Sequence, residues 1–548
     1  IDQLNQDSIF SKAYIASGIN TEFKFILILG ISVLVLLIIA STVSIFTIWR
    51  LTKFAHKTGA ELGDRLYSYY LKKDWLFHAS GNSSNLIKKI ATETPRTTQG
   101  IIVQLMQMNA KIVLATLVTT TVFFYDPKVA LSGFLVFSLA YILLFSIVKI
   151  RLLKNGKILS EVYQSRFGLM NEGFGGIKDI LLLGRDLDFI DRFRETGRKM
   201  AYSLGNNAAL AQAPRYFIEL VAFGSIILLV IYLFVSHNGD LGIIIPSLSV
   251  YAVASVKILP AFQQIYSSIA DIRANVAAFE SIQPDLVDSL KTDKFVIEND
   301  KKILSPNHKI TIENVSFNYD KKEEFALKEL NIEIPVKDVI GIVGSSGSGK
   351  STLIDIFLGL IKPKVGHLKV DGTLIDDHNK RSWQNNIGFV AQSIFLSDSS
   401  IAENVAFGIA KDEIDFERVK KSLDLAHLIE LVEGFENGIH TQVGERGVQL
   451  SGGQRQRVGI ARSLYHGAEI LIFDEATSSL DGITEKMIMQ AIHEFSGEKT
   501  IILIAHRLKT VEKCDQIFFM DKGRVVDQGT YKELFEKNKL FRNMANHA

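Results

Sequence analysis

At 548 residues the chain is too long for a single domain, and a length of that order points to about two to four. Apolar residues make up 47% of it and the mean hydropathy is +0.19, high for a wholly soluble protein and ordinary for one half embedded in a membrane. The net charge of +2 speaks neither for nor against nucleic acid, and one cysteine, Cys514, excludes an intramolecular disulfide, which suits a reducing compartment.

The N-terminal stretch IDQLNQDSIFSK is polar and lacks the basic and apolar regions of a secretory signal. Beyond it lie five runs long enough to cross a hydrocarbon core of about 30 Å. They are roughly Phe25–Trp49, Ile102–Tyr125, Val129–Ile150, Tyr216–Ser236 and Gly242–Phe262. Their connections alternate in character. Arg50–Gly100 and Arg151–Arg215 are long and rich in Lys and Arg, whereas Asp126-Pro-Lys128 and His237–Leu241 are tight turns almost without positive charge. The positive-inside bias places the long connections in the cytoplasm and the tight turns outside. An odd number of spans leaves Ile1 outside, so a first span is expected to precede these five runs.

The long connections show helical spacing and no strand-like runs. Unstructured loops of such length are uncommon, so helical stalks extending the spans are expected, with reversals near Ser80–Ser84 and Gly173–Gly176. The polar stretch Asp285–Asn307 reads as a linker, and from residue 308 onward short β-rich runs alternate with helical patterns and glycine loops. The expected domains are therefore an external segment over 1–24, a transmembrane domain over 25–284, and an α/β nucleotide-binding domain over 308–548.

Three motifs in the second half carry chemistry. Gly344-SSGSGKS-Ser351 fits the P-loop spacing G-x-x-x-x-G-K-[ST] between a strand and a helix. Glycine there lets backbone amides of Gly344, Ser345, Ser346, Gly347, Ser348 and Gly349 face phosphate oxygens, with the helix N-terminus adding positive potential. Lys350 would reach the outer phosphates of ATP and Ser351 would ligand Mg²⁺. Glu469-ILIFDE-Glu475 is a buried-strand run ending in two acids: Asp474 placed for the metal and Glu475 for the attacking water. Leu450-SGGQ-Gln454 opens a helix with small residues, a second anion site that is weak alone and specific in this company.

On these residues the chain resembles the ATP-binding cassette exporters, as a half-transporter with one membrane domain and one cassette. The implied fold is an α-helical transmembrane domain of the type IV exporter kind, with long cytoplasmic stalks, followed by an α/β P-loop NTPase domain. Further likenesses follow in family order. Tyr319 is similar to the aromatic that stacks on adenine, Gln392 to the Q-loop glutamine that senses Mg²⁺, and Thr441-QVGERG-Gly447 to the loop before the signature. Ser478-SLD-Asp481 is similar to the D-loop and His506 to the switch histidine at the γ-phosphate. Thr352 completes the P-loop end. The resemblance implies that Leu450, Ser451, Gly452, Gly453 and Gln454 close over ATP held by a second chain. A homodimer is expected because both halves of the site are intact. It also implies a bacterial inner-membrane location, a cassette in the cytoplasm, and no nucleic-acid partner. Coupling tips are expected near Gly81–Leu86 and Lys178–Asp188, and residues 9–22 would form an external loop with a small interfacial helix or a stalk extension.

For cargo, the short external turns, SIFSKAYIASGI and VKILPAF resemble the lipid-linked oligosaccharide flippases. Lipid A flippases, polysaccharide or peptide exporters and multidrug pumps are the alternatives. An ATP-gated channel or receptor on this scaffold is disfavoured by the intact Glu475, and a soluble ATPase is excluded by the spans. Polar residues in or beside the spans are the candidate cargo contacts: Lys257, Gln264 and Arg215 foremost, then Gln263, Lys111 and Glu219. Helix–helix bonding or interfacial anchoring would equally account for each. Lys257 follows Asp240 by 17 residues, or about 25 Å of helix, which puts it near the cytoplasmic edge where a lysine can snorkel.

Overall fold

The structure, a computed structural model, describes residues 14–19, 21–236, 241–292, 302–320, 323–475, 482–505 and 507–547. Two compact units emerge, one of residues 1–73 and 80–295, the other of residues 74–79 and 296–548.

The described residues of the first unit are helical apart from short turns. Among the described residues five helices are long and apolar enough to cross a membrane. They are α1 (Glu22–Leu71), α3 (Ser83–Tyr125), α4 (Pro127–Gly175), α6 (Asp186–Ser236) and α7 (Leu241–Thr292), with α2 (Trp75–Ser80) and α5 (Ile177–Leu183) as short helices at the reversals. Each apolar run thus continues into a charged stalk without a break, as the helical spacing of the long connections predicts. The last helix also continues through Asp285 to Thr292, so the expected linker begins later than its polar composition suggests. Polarity there marks a solvated helix face instead of a loop. Of the external loop, Tyr14 packs its ring edge-on to Phe25 at 5.2 Å, while Ile9 and Phe10 lie outside the described residues.

Turn chemistry fixes the reversals. Asp126 caps α4, its carboxylate accepting from the backbone N–H of Lys128 and Val129, with Pro127 in the first turn where its missing N–H costs nothing. Gly184, in the left-handed conformation at φ 62°, ends α5. The tip between α1 and α3 departs from expectation. Residues 74–79 group with the cassette unit, whereas Gly81–Leu86 belongs to the helical unit. The reason is local: Asn82 caps α3 by accepting from Ser84 N–H, so the SGNSS run starts a stalk, and the apolar WLFHAS segment before it forms the tip.

The second unit is α/β. A four-stranded antiparallel sheet has the order β2-β1-β4-β5, from β1 (Lys309–Phe317), β2 (Leu327–Pro335), β4 (Val365–Val370) and β5 (Thr373–Leu374). The main sheet has the order β10-β9-β3-β8-β7-β6, comprising β3 (Val339–Gly344), β6 (Ile387–Val390), β7 (Ile470–Asp474), β8 (Thr500–Ala505), β9 (Gln516–Asp521) and β10 (Arg524–Gly529). It is parallel except for its β9–β10 edge. Its central strands are buried on both faces, which explains their unbroken Val/Ile/Leu runs. The three helices that matter for the site are α8 (Lys350–Phe357), α9 (Gly452–Tyr465) and α10 (Gly482–Glu494).

Candidate nucleotide site

The parallel register brings the site together. Val343 of β3 lies opposite Ala505 of β8, and Ile504 of β8 opposite Asp474 of β7, so three carboxyl-terminal strand ends stand side by side. Ligands of open α/β sheets bind at such ends. From β3 the chain passes through Ser345–Gly349 into α8. Gly349 has φ +100°, and a Cβ there would meet the Ala326 carbonyl oxygen at 2.7 Å, so only glycine serves. Gly347 is also left-handed, at φ +80°, and faces open space.

Lys350 folds back over this loop, its Nζ donating to the carbonyls of Gly344 (2.9 Å) and Ser345 (3.1 Å). Burial lowers its pKa, and the carboxylates of Glu475 and Asp474 pull it up again. The ammonium is thus held between the loop and the acids. Ser348 Oγ is buried without a hydrogen-bond partner among the described residues, and Ser351 is exposed at the start of α8. A cationic loop with an unspent buried hydroxyl and open glycine fits a polyphosphate, and Ser351 with Asp474 supplies the oxygen donors that Mg²⁺ takes. Tyr319 stands beside the loop, its hydroxyl 3.0 Å from Thr352 Oγ1 and its ring edge-on to Phe317.

Asp474 ends β7. Glu475 follows with φ +49°, a conformation that costs a non-glycine residue on the order of 1–3 kcal/mol and turns its side chain out of the strand's alternation. Its backbone N–H stays bonded to Ile504 O, and its carboxylate accepts from Gln392 Nε2 at 2.7 Å. Structure thereby joins two residues 83 positions apart that the sequence could only pair by resemblance. His506 and Asp481 lie outside the described residues.

The signature stretch forms the N-terminus of α9. Ser451 caps it, accepting from Gln454 N–H, and Gln454 Oε1 accepts in return from Ser451 N–H at 2.8 Å, a closed capping box. Leu450 and Gly453 are buried, and Ser451 is exposed. Gln454 therefore works within its own helix end. Sequence reasoning missed two residues of this helix. Gln456 donates to the Gln392 carbonyl at 2.8 Å, tying α9 to the glutamine that holds Glu475. Arg462 donates to Asn404 O (2.9 Å) and Phe395 O (3.0 Å), and burial pushes its pKa down to about 10. Gln456 sits among Gln454, Arg455 and Arg457, and Arg462 follows six residues on, so neither stands out from its neighbours in the sequence.

Asp355, one turn into α8, was also passed over. Burial is the main cause that raises its pKa to about 6; nearby Asp474 adds to this, and a hydrogen bond from Trp75 opposes it. Leu76, beside Trp75, packs on the cassette core. The raised value means that folded Asp355 binds a proton more tightly than in the unfolded chain. Its contribution to stability therefore falls as pH rises through the window from about 4 to about 6. Asp355→Asn should flatten the thermal stability of the full protein across that window and raise it at neutral pH. Unchanged slopes in melting curves recorded at stepped pH would remove Asp355 as the cause.

The candidate cargo residues are not gathered into a basic cluster. Arg215 Nε bonds Glu219 Oε1 at 2.7 Å on its own helix, so this cation is already paired. Gln264 donates to Gln107 Oε1 (3.1 Å) and Ser268 Oγ, and Ser268 donates to Gln104, an amide ladder joining α7 to α3. Lys257 is exposed, and Lys111 and Gln263 are half-buried.

A mononucleotide cradle at the ends of a parallel sheet, with an acid pair beside it, defines a P-loop ATPase cassette, here on one chain with a set of membrane-length helices. The ABC transporter transmembrane region matches residues 3–257 and the ABC transporter domain matches residues 327–478. The chain belongs to the ABC transporters. It is 26% identical over 530 residues to the ATP-dependent lipid A-core flippase of Shewanella frigidimarina, covering 96% of this chain and 87% of that protein. It is 41% identical to the flippase of the same name from Cupriavidus pinatubonensis, over 233 residues, which span 42% of this chain and 40% of that relative's length. A bacterial Atm1-family ABC exporter solved with ATP bound shares the fold, with a TM-score of 0.75 at 22% identity over 90% of this chain and 86% of that one.

Proposed function

We propose that the protein is an ATP-driven exporter that flips an amphiphilic lipid across a bacterial inner membrane, acting as a homodimer with its cassettes in the cytoplasm. The observation that carries this is the Lys350–Glu475–Gln392 arrangement at the strand ends of the main sheet, on a chain with five membrane-length helices among its described residues. Lys350 and the loop amides would hold the outer phosphates of ATP, Tyr319 would flank its base, and Glu475 would take the proton of the attacking water. Ser351, Gln392 and Asp474 would hold Mg²⁺, which neutralises phosphate charge during transfer. A chain with one P-loop and one signature needs a second copy if Leu450–Gln454 is to act on ATP, and Asp481 and His506 would complete each site.

For cargo the reading is a phosphorylated glycolipid. Relatives aligned along nearly the whole chain bear the name lipid A-core flippase, which favours lipid A chemistry. A polyprenyl-pyrophosphate oligosaccharide stands second, on the SIFSKAYIASGI and VKILPAF likenesses. With Arg215 neutralised by Glu219 and Gln264 held in an amide ladder, only Lys257 of the three foremost candidates offers an unspent charge. That weighs against a strongly basic cavity. Reconstitution in liposomes tests the choice, with ATP-dependent translocation of lipid A, a polyprenyl-pyrophosphate glycan and a hydrophobic cation compared side by side. Lipid A is expected to move fastest; movement of the cation alone overturns the reading.

A further inference from the structure

We infer that a cavity between α3, α4, α6 and α7, beside the Asp126-Pro127-Lys128 turn, is a lipid site: one hydrocarbon chain of an anionic membrane lipid fills it and the lipid phosphate rests at Lys128. It rests on the membrane-embedded part of the reading above and not on the identity of the cargo.

The cavity encloses about 530 Å³, within the range of about 300–1,000 Å³ usual for sites that take small ligands. Its walls include Val129 and Gly133 of α4, Leu229 of α6 and Ala254 of α7. Its far end is Phe262, stacked on Phe137 and Tyr141 at 6.2 and 6.0 Å. Ser132 and Ser225 also line it, and both hydroxyls donate to carbonyls of their own helices, at 3.1 and 2.7 Å, so they ask nothing of a ligand. The interior is therefore a place for hydrocarbon.

Charge is confined to the turn end. There Asp126 is saturated, accepting from two backbone N–H groups and from Tyr251 Oη–H at 3.1 Å. Lys128 is exposed and makes no ion pair among the described residues, leaving its cation for a phosphate. From Tyr251 to Phe262 is 11 residues (262 − 251), or about 16 Å of helix, roughly half of a hydrocarbon core of about 30 Å. A cation at the surface with an apolar recess reaching the bilayer midplane matches one leaflet of an anionic lipid. Positive-inside bias makes that the outer leaflet. Lys257 and Arg215 do not line this space, so it is separate from the candidate cargo contacts.

The test uses the full chain in nanodiscs doped with phosphatidylglycerol carrying a diazirine in one acyl chain, against phosphatidylcholine carrying the same label. Photolabelling is expected on the segments 122–137 and 251–262. Gly133→Phe should abolish it, because a Cβ at Gly133 meets nothing within 4 Å and the ring would occupy the cavity without backbone collision. Lys128→Ala, a surface change, should lower the preference for the anionic label about fivefold, the loss of about 1 kcal/mol for one cation near a headgroup. Label spread evenly over all spans and indifferent to Gly133→Phe would overturn the site. So would disulfide cross-linking of a cysteine at 133 to a second copy, which would make protein the occupant. ATP turnover of the unsubstituted chain in the same nanodiscs separates the readings: no localised labelling with normal turnover sinks the lipid site alone, and absent turnover with localised labelling sinks the exporter.

Discussion

Glu475→Gln should lower ATP turnover by about 10²–10⁴-fold, the usual contribution of a positioned general base, while ATP binding persists. Glutamine keeps the size and the backbone conformation but cannot accept the proton. It also keeps an oxygen for Gln392 Nε2, so the 2.7 Å bond survives in kind. That makes the variant a clean probe of chemistry as against folding. Single-turnover phosphate release and nucleotide retention on the purified protein are the measurements. Near-normal turnover with intact binding would mean that the proton goes elsewhere and that the strained backbone at Glu475, with φ +49°, serves only the turn.

The cassette was largely legible because its chemistry is local. The P-loop, the acid-ended strand and the signature each sit on contiguous residues whose turn and burial demands can be read without a fold. The spans were legible because hydropathy is a property of composition. What escaped was whatever depends on two distant segments meeting. Gln456 looks like any helical glutamine until it is seen donating to Gln392 O, and Asp355 like a surface acid until α8 buries it beside Trp75. The same limit explains one of the cargo residues. Gln264 reads as an amide near a path, and only the packed helices reveal that Gln107 already holds it, whereas the Arg215–Glu219 pair lies four residues apart on one helix, a spacing present in the sequence. The misplaced first tip has another cause. Serine and asparagine mark helix caps as readily as loops, and Asn82 is a cap.

Arg96→Ala should destabilise the helical unit by about 3–5 kcal/mol, the cost of leaving a buried charge without its partner. Glu93 is fully buried, with one oxygen 2.7 Å from Arg96 Nη1 and the other unbonded, its nearest cation being the buried Lys88 at 3.9 Å. Arg96 spends its remaining donors across the stalk, on Ser160 Oγ (2.9 Å) and Gly156 O of α4 and on Asn275 Oδ1 (3.3 Å) of α7. One guanidinium therefore ties α3 to both neighbours. The helices come this close because Gly156 has no side chain: a Cβ there would collide with the Ala274 carbonyl oxygen. The two π-helical turns, Lys89–Glu93 and Thr98–Ile102, flank Arg96 and rotate the faces of α3 on either side of it, a distortion most often kept where a helix serves a special contact. The double variant, Glu93→Gln with Arg96→Ala, should not recover the loss, since it leaves the buried Lys88 without its counter-ion. Thermal unfolding in detergent of the wild type, the two single variants and the double variant forms the cycle. If Arg96→Ala costs no more than a surface change, the ion pair is not what holds the stalks together and close packing at Gly156 must do so alone.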